Sequence, residues 1–181
     1  MRWVWILLLV GCGANNPAQP VSDRSAYPLG PYGVVEGAAI ENLRFTAASG
    51  HDVALADLHA SANNQLLLLS TAAGWCTACI EEQPALQHLY STHAAHGLVV
   101  LVALFENDTF GVADSALAAA WQRRYGLQFP VVADPTFSLA RYYDRRLTPM
   151  NMIVDLGTME ILRVTTGWDA SIVEAILEAR L

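Results

Sequence analysis

Hydrophobic and polar positions divide this chain into elements before any motif is considered. Leu43 and Phe45 alternate with polar neighbours, Ser49-Gly50-His51-Asp52 reads as a turn, and Val53 and Leu55 resume the alternation. That pattern predicts a pair of strands, a hairpin at the front of a domain running from 34 to 181. Leu66 to Leu69 is an unbroken apolar run and predicts a central strand over Gln65–Thr71, buried on both faces. A short polar turn, Ser70 to Gly74, is expected next. A helical spacing then runs from Cys76 through Leu86, Leu89 and Tyr90 to a stop at His96-Gly97. Pro84 inside it cannot donate to the Ile80 carbonyl and predicts a kink.

Leu98 to Phe105 is a second continuous apolar run, so strand, helix and strand make a βαβ unit with a right-handed crossover. A polar loop follows, Glu106 to Asp114, and then a helix over Ser115–Tyr125 with Trp121 inward. Further on, the pattern predicts a strand at Phe129–Val132, a helix at Pro135–Tyr143 and strands at Met150–Val154 and Ile161–Val164. A closing helix is expected over Ala170–Leu181. The sum is an α/β domain.

The first residues follow different rules. Met1-Arg2 is positive, and Trp3 to Val10 is apolar but too short to span a bilayer. Leu9-Val10-Gly11-Cys12 resembles the bacterial lipobox. The resemblance implies a signal peptide over 1–11, lipidation of Cys12, and a membrane anchor made by several acyl chains together. Gly13 after the cysteine, where an aspartate would imply inner-membrane retention, mildly favours the outer membrane by analogy. Residues 12–33 hold Pro17, Pro20, Pro28 and Pro31 among small and polar residues and read as an extended tether.

Charge narrows the partners. The net charge is -7, with no basic patch to neutralise phosphates, so nucleic acid is not expected as a partner. All ten basic residues are arginine, which excludes lysine chemistry. Of five histidines, His51 and His59 read as turn and loop residues, and His88, His93 and His96 as surface residues near a helix end. No metal site or other cofactor is expected from them. Glu106 and Asp108 read as members of a solvated loop.

Three cysteines remain to be explained. Cys76 and Cys79 stand three apart at a helix start, one turn from each other, so their sulfurs can reach bonding distance. Unsatisfied N–H groups and the positive end of the helix dipole meet at that position and favour a thiolate on Cys76. By its physics this is a redox site.

Several separate features resemble the thioredoxin superfamily, and within it the membrane-tethered thiol–disulfide oxidoreductases of the TlpA/ResA type. Trp75-Cys76-Thr77-Ala78-Cys79 is similar to that family's WCxxC. Glu82 and Pro84 are similar to its CxxExP continuation, Phe129-Pro130-Val131 with Asp134 to the segment before a short helix, and Thr148-Pro149 with Met152 to Asp155 to the proline-then-strand segment. The resemblance covers Val34 to Leu181 and implies a thioredoxin-like fold, a central mixed sheet flanked by helices. It implies Cys76 as attacking thiolate and Cys79 as resolving thiol, joined as a redox disulfide. It also implies a cis Pro149 that puts the Thr148 backbone beside Cys76 for a substrate chain, and Trp75 as a shield and docking surface. Glu82, one turn after Cys79, would move protons for the deeper thiol. Many thioredoxins carry an aspartate six residues before the first cysteine, and this chain has Ser70 there.

The function so implied is an extracytoplasmic, lipid-anchored thiol–disulfide oxidoreductase. It would work on protein thiols and disulfides, as a reductant, as look-alikes do in cytochrome c maturation. A membrane-bound or periplasmic electron donor would supply it. Two rivals stand beside that reading. A peroxide reductase of peroxiredoxin type would have a threonine or serine three residues before its cysteine and a proline seven before, where this chain has Ala73 and Leu69. A copper- or haem-delivery module of the same fold would need a downstream histidine, and none follows His96.

Overall fold

The computed structural model describes residues 24–181. The signal peptide expected over 1–11, Cys12 and most of the expected tether lie outside the described residues. One seven-stranded sheet organises the domain, in the order β2-β1-β5-β4-β3-β6-β7. Its strands are β1 (Arg44–Ala47), β2 (Asp52–Ala54), β3 (Leu66–Ala73), β4 (Leu98–Glu106), β5 (Val131–Ala133), β6 (Met150–Asp155) and β7 (Ile161–Thr166). β3, β4 and β5 run parallel, and β1, β6 and β7 pair antiparallel to their neighbours. The helices are α1 (Leu55–His59), α2 (Thr77–His93), α3 (Ser115–Arg124) and α4 (Ala170–Arg180). This is the mixed α/β architecture of the thioredoxin-like fold, with a β1–β2 hairpin at its front.

The apolar run of β3 explains why the sheet has two cores. Side chains alternate along a strand. Leu66 and Leu68 therefore pack with Leu86 and Leu89 of α2, Trp121 of α3 and Leu177 of α4. Leu67 and Leu69 face the other way, against Ile40, Leu55, Leu139 and Leu156. All eight residues of β3 are buried, so the strand that carries the cysteines to their place is enclosed on both faces.

Several elements differ from their predicted bounds, each for a local reason. Leu55 begins α1 rather than continuing β2, because the Asp57 carboxylate accepts the Ala54 N–H and turns the chain. Ser70 to Ala73 are strand and not turn, since β4 pairs alongside β3 as far as Glu106. α2 runs through Pro84 without a break, and Pro84 lies on its exposed face. Gly97 takes the left-handed conformation (φ 99°) that ends the helical segment. β5 starts at Val131, after Pro130, which has no N–H for the ladder. The expected helix over Pro135–Tyr143 is a single 3₁₀ turn, Ser138–Arg141, set late because the Asp134 carboxylate accepts from the Ser138 and Leu139 N–H groups.

Two further corrections concern the front of the chain. Within residues 24–33 of the expected tether, some side chains bond to the domain although most of the segment is exposed. Arg24 donates to the Ser61 carbonyl (2.8 Å), and the Tyr27 hydroxyl donates to the Ile40 carbonyl (2.9 Å). His59 is the inner end of α1 and only 2% exposed, not a loop residue. Its Nδ1 lies 2.7 Å from the Leu156 carbonyl and its Nε2 3.2 Å from the Ala26 carbonyl, tying this segment to the domain.

Candidate functional site

β3 ends at Ala73, and the chain turns through Gly74 and Trp75 into Cys76. A side chain on Gly74 would place its Cβ 2.4 Å from the Asp108 N atom, so only glycine lets the turn lie this close to the β4 loop. Cys76 is the N-cap of α2, and its sulfur accepts the Cys79 N–H at 3.1 Å. The two cysteines are joined as a disulfide, with their Cα atoms 5.3 Å apart. Cys79 is fully buried and Cys76 keeps 4% of its surface. Cys76 is the less enclosed of the two.

Facing the disulfide is the start of β6. The Thr148–Pro149 peptide is cis, and the Thr148 carbonyl oxygen lies 3.9 Å from Cys76 Sγ. This turn is held from three sides. The Met150 N–H donates to Thr71 Oγ1 (2.8 Å), the Gly167 N–H donates to the Pro149 carbonyl (2.7 Å), and the Thr148 hydroxyl donates to the Tyr143 hydroxyl (3.1 Å).

Behind Cys79 lies Glu82, one turn along α2 and 3% exposed. A bare carboxylate there would be costly. Two neutral donors meet it: the Ser70 hydroxyl on Oε1 (2.5 Å) and the Asn151 amide on Oε2 (3.1 Å). Burial raises its pKa from 4.5 to about 7, and these two hydrogen bonds only partly oppose that rise. Glu82 is thus an acid whose proton moves near neutral pH. Ser70 sits where many thioredoxins have an aspartate, and here it donates to the helix acid.

At the mouth of the site, Trp75 is 36% exposed. Its indole N–H donates to Glu106 Oε2 (2.9 Å), and Glu106 Oε1 accepts from Arg145 (3.1 Å). Glu106 therefore does not belong to a solvated loop: it is the last residue of β4 and a clamp on Trp75. Phe110 stacks on Trp75 at 5.7 Å, and Phe105 meets it edge-on at 6.1 Å.

A family model described as the AhpC/TSA family matches residues 37–166, which include both cysteines, Glu82 and Pro149. The chain belongs to the AhpC/TSA family. It is 25% identical over 163 residues to the thioredoxin-like protein YneN of Bacillus subtilis (strain 168), covering 90% of this chain and 88% of that protein. It is 24% identical over 134 residues to the thiol-disulfide oxidoreductase ResA of Geobacillus kaustophilus (strain HTA426), covering 74% and 71%. Among solved structures, the exposed lipoprotein thioredoxin Etrx1 of Streptococcus pneumoniae strain TIGR4 superposes with a TM-score of 0.59 at 20% identity, over 77% of this chain and 99% of that one. The AhpC/TSA chain described here is thus a TlpA/ResA-like member of the thioredoxin superfamily.

Trp75, Cys76, Cys79 and Glu82 from one stretch, and Thr148 and Pro149 from another (Cys76 and Thr148 stand 72 positions apart), gather at one end of this family member's sheet. Sequence reasoning missed Asn151, Tyr143 and the part played by Glu106. Asn151 did leave a signal, as the one amide in the apolar run of β6. Tyr143 and Glu106 left none, because their partners come from other elements. Among the described residues no group of three or more His, Cys, Asp or Glu side chains is placed to hold a metal ion.

Proposed function

We propose that the chain is an extracytoplasmic thiol–disulfide oxidoreductase, tethered to a membrane through Cys12, that reduces disulfides of partner proteins. The observation that carries this reading is the Cys76 sulfur at the start of α2, accepting the Cys79 N–H and bonded to the Cys79 sulfur. In the reduced protein, that amide and the helix dipole favour negative charge on Cys76. Its thiolate attacks one sulfur of a partner disulfide and expels the other as a thiolate. A thiolate on Cys79 then attacks the Cys76 sulfur and releases the partner's second thiol. Two electrons pass from the dithiol to the partner, and the Cys76–Cys79 disulfide forms.

Each neighbour has a proposed part. Glu82, with a pKa near 7, takes the Cys79 proton when the inner thiol must attack. The Thr148 carbonyl, beside Cys76, receives the backbone N–H of the partner chain. Trp75 covers the outer sulfur. Recycling requires a membrane-bound or periplasmic dithiol donor. Export is supported by the leader and lipobox pattern and by the lipoprotein character of Etrx1. The reductant direction rests on the likeness to ResA.

Trapping tests the chemistry. Cys79→Ser should accumulate a mixed disulfide through Cys76, and Cys76→Ser should not. Equal trapping by both would overturn the order of attack. Equilibration with glutathione tests the direction, since a reductant should lie well below the glutathione couple. Peroxide consumption that survives Cys79→Ser would instead favour a peroxide reductase.

A further inference from the structure

A cavity of about 380 Å³ is lined by Trp75, the neighbour of Cys76 in the chain, and by Glu106, Phe110, Arg145 and Arg146. Its aromatic wall is built to stand open. Phe110 is 71% exposed and has φ 61°, the left-handed conformation that a bulky residue rarely takes. The loop pays for this with a dense set of bonds around Asn107, whose Oδ1 accepts from the Thr109 N–H (2.9 Å), the Thr109 hydroxyl (2.9 Å) and the Gly111 N–H (2.8 Å). The Asn107 N–H in turn donates to the Gly111 carbonyl (2.8 Å). A loop so tied holds its aromatic ring in water, stacked on Trp75, when relaxation would let it fold away.

The rest of the lining is made of ion-paired arginines. Arg145 and Arg146 line the cavity, and their guanidinium groups are held by Glu106 and Asp144. Guanidinium planes stack on aromatic faces, and aromatic rings favour offset or edge-on partners. A slot lined by two aromatic rings and two guanidinium groups therefore complements one further aromatic ring. Trp75 is the neighbour of Cys76 in the chain, and Leu147, also exposed, precedes Thr148, so the slot adjoins the place where a partner would be bonded.

We propose that this slot selects partner proteins whose reactive cysteine has an aromatic side chain close to it in sequence. This deepens the oxidoreductase reading and rests on it. The sulfur chemistry is unchanged: the cavity raises the chance that the partner's disulfide sulfur meets the Cys76 thiolate.

The test uses the reduced full chain and peptides closed by an internal disulfide, alike except for Phe, Leu or Ser two residues from one cysteine. Single-turnover rates are followed by acid quench and chromatography, with oxidised glutathione as a small disulfide. The expected result is a Phe peptide about tenfold faster than the Ser peptide, with Leu between. Phe110→Ser should bring the Phe-to-Ser ratio near one, and Phe110→Tyr should keep it. Equal rates for the three peptides, with glutathione still reduced, would overturn the slot and leave the oxidoreductase reading standing. A Leu peptide as fast as the Phe peptide would overturn the aromatic preference. No reaction with any disulfide, glutathione included, would overturn the oxidoreductase reading itself.

Discussion

Replacing the buried acid gives the sharpest check on how the site is built. The carboxyl of Glu82 holds its proton up to about pH 7 in the folded chain, against 4.5 for an ordinary glutamate, because burial penalises the charge. Between those two values the folded state binds more protons than the unfolded one, so stability must fall as pH rises. Its full contribution is present below pH 4.5 and is lost by the time pH has passed 7. The gap corresponds to about 3 kcal/mol, at about 1.4 kcal/mol for each tenfold change. Glu82→Gln keeps the shape and cannot ionise. The Ser70 hydroxyl can still donate to the amide oxygen, and Asn151 has an unpaired buried oxygen able to turn toward the new N–H. Urea unfolding of the oxidised protein should show the wild type losing about 2–3 kcal/mol between pH 4.5 and 8 relative to the variant. The variant should be the more stable at pH 8. Asp144 and Asp169 have lowered pKa values, the first through Arg146 and the second through the Ser171 hydroxyl. Their contributions are present above the ordinary aspartate range and lost as pH falls below it, outside this window. A difference between the two proteins that does not change with pH would refute the assignment.

Other variants test separate parts. Glu82→Gln, with both cysteines intact, should slow resolution of a Cys76-linked mixed disulfide by about tenfold or more above pH 7, if Glu82 accepts the Cys79 proton; stopped-flow release of the partner's second thiol in a single turnover measures this. His59→Ala removes a buried ring and leaves the Leu156 and Ala26 carbonyls without it, and should cost about 2–3 kcal/mol in urea unfolding while exposing residues 24–33 to protease. Gly74→Ala forces a methyl onto the backbone of residues 107–108 and should destabilise the domain by about 2 kcal/mol or more, with slower exchange. Cys12→Ala should abolish incorporation of labelled fatty acid in the bacterial host and release the protein from the membrane fraction.

What the sequence made legible was whatever one element carries alone. The runs at 66–69 and 98–105 name their strands because parallel strands are buried on both faces. The cysteines, Glu82 and Gly97 fall where one helix places them. What escaped depends on contacts between elements. Ser70 reads as the start of a turn until β4 is seen beside it as far as Glu106, and then it faces Glu82. Glu106 reads as a loop acid until the Trp75 indole and Arg145 arrive from other segments. His59 reads as a loop residue because its two carbonyl partners lie 33 and 97 positions away.

The two sulfurs need opposite surroundings, and the fold supplies them within one turn of helix. Charge on Cys76 is favoured by an amide already aimed at it, at the rim where a partner arrives. Cys79 is sealed in apolar surroundings that disfavour charge until a base is at hand. An aspartate at position 70 would put a second acid against Glu82 and drive both carboxyls toward the protonated form. Ser70 and Asn151 instead offer neutral donors, which steady the ionised Glu82 without making it strongly acidic. In the proposed mechanism, that choice leaves Glu82 as the proton acceptor for the inner thiol near neutral pH.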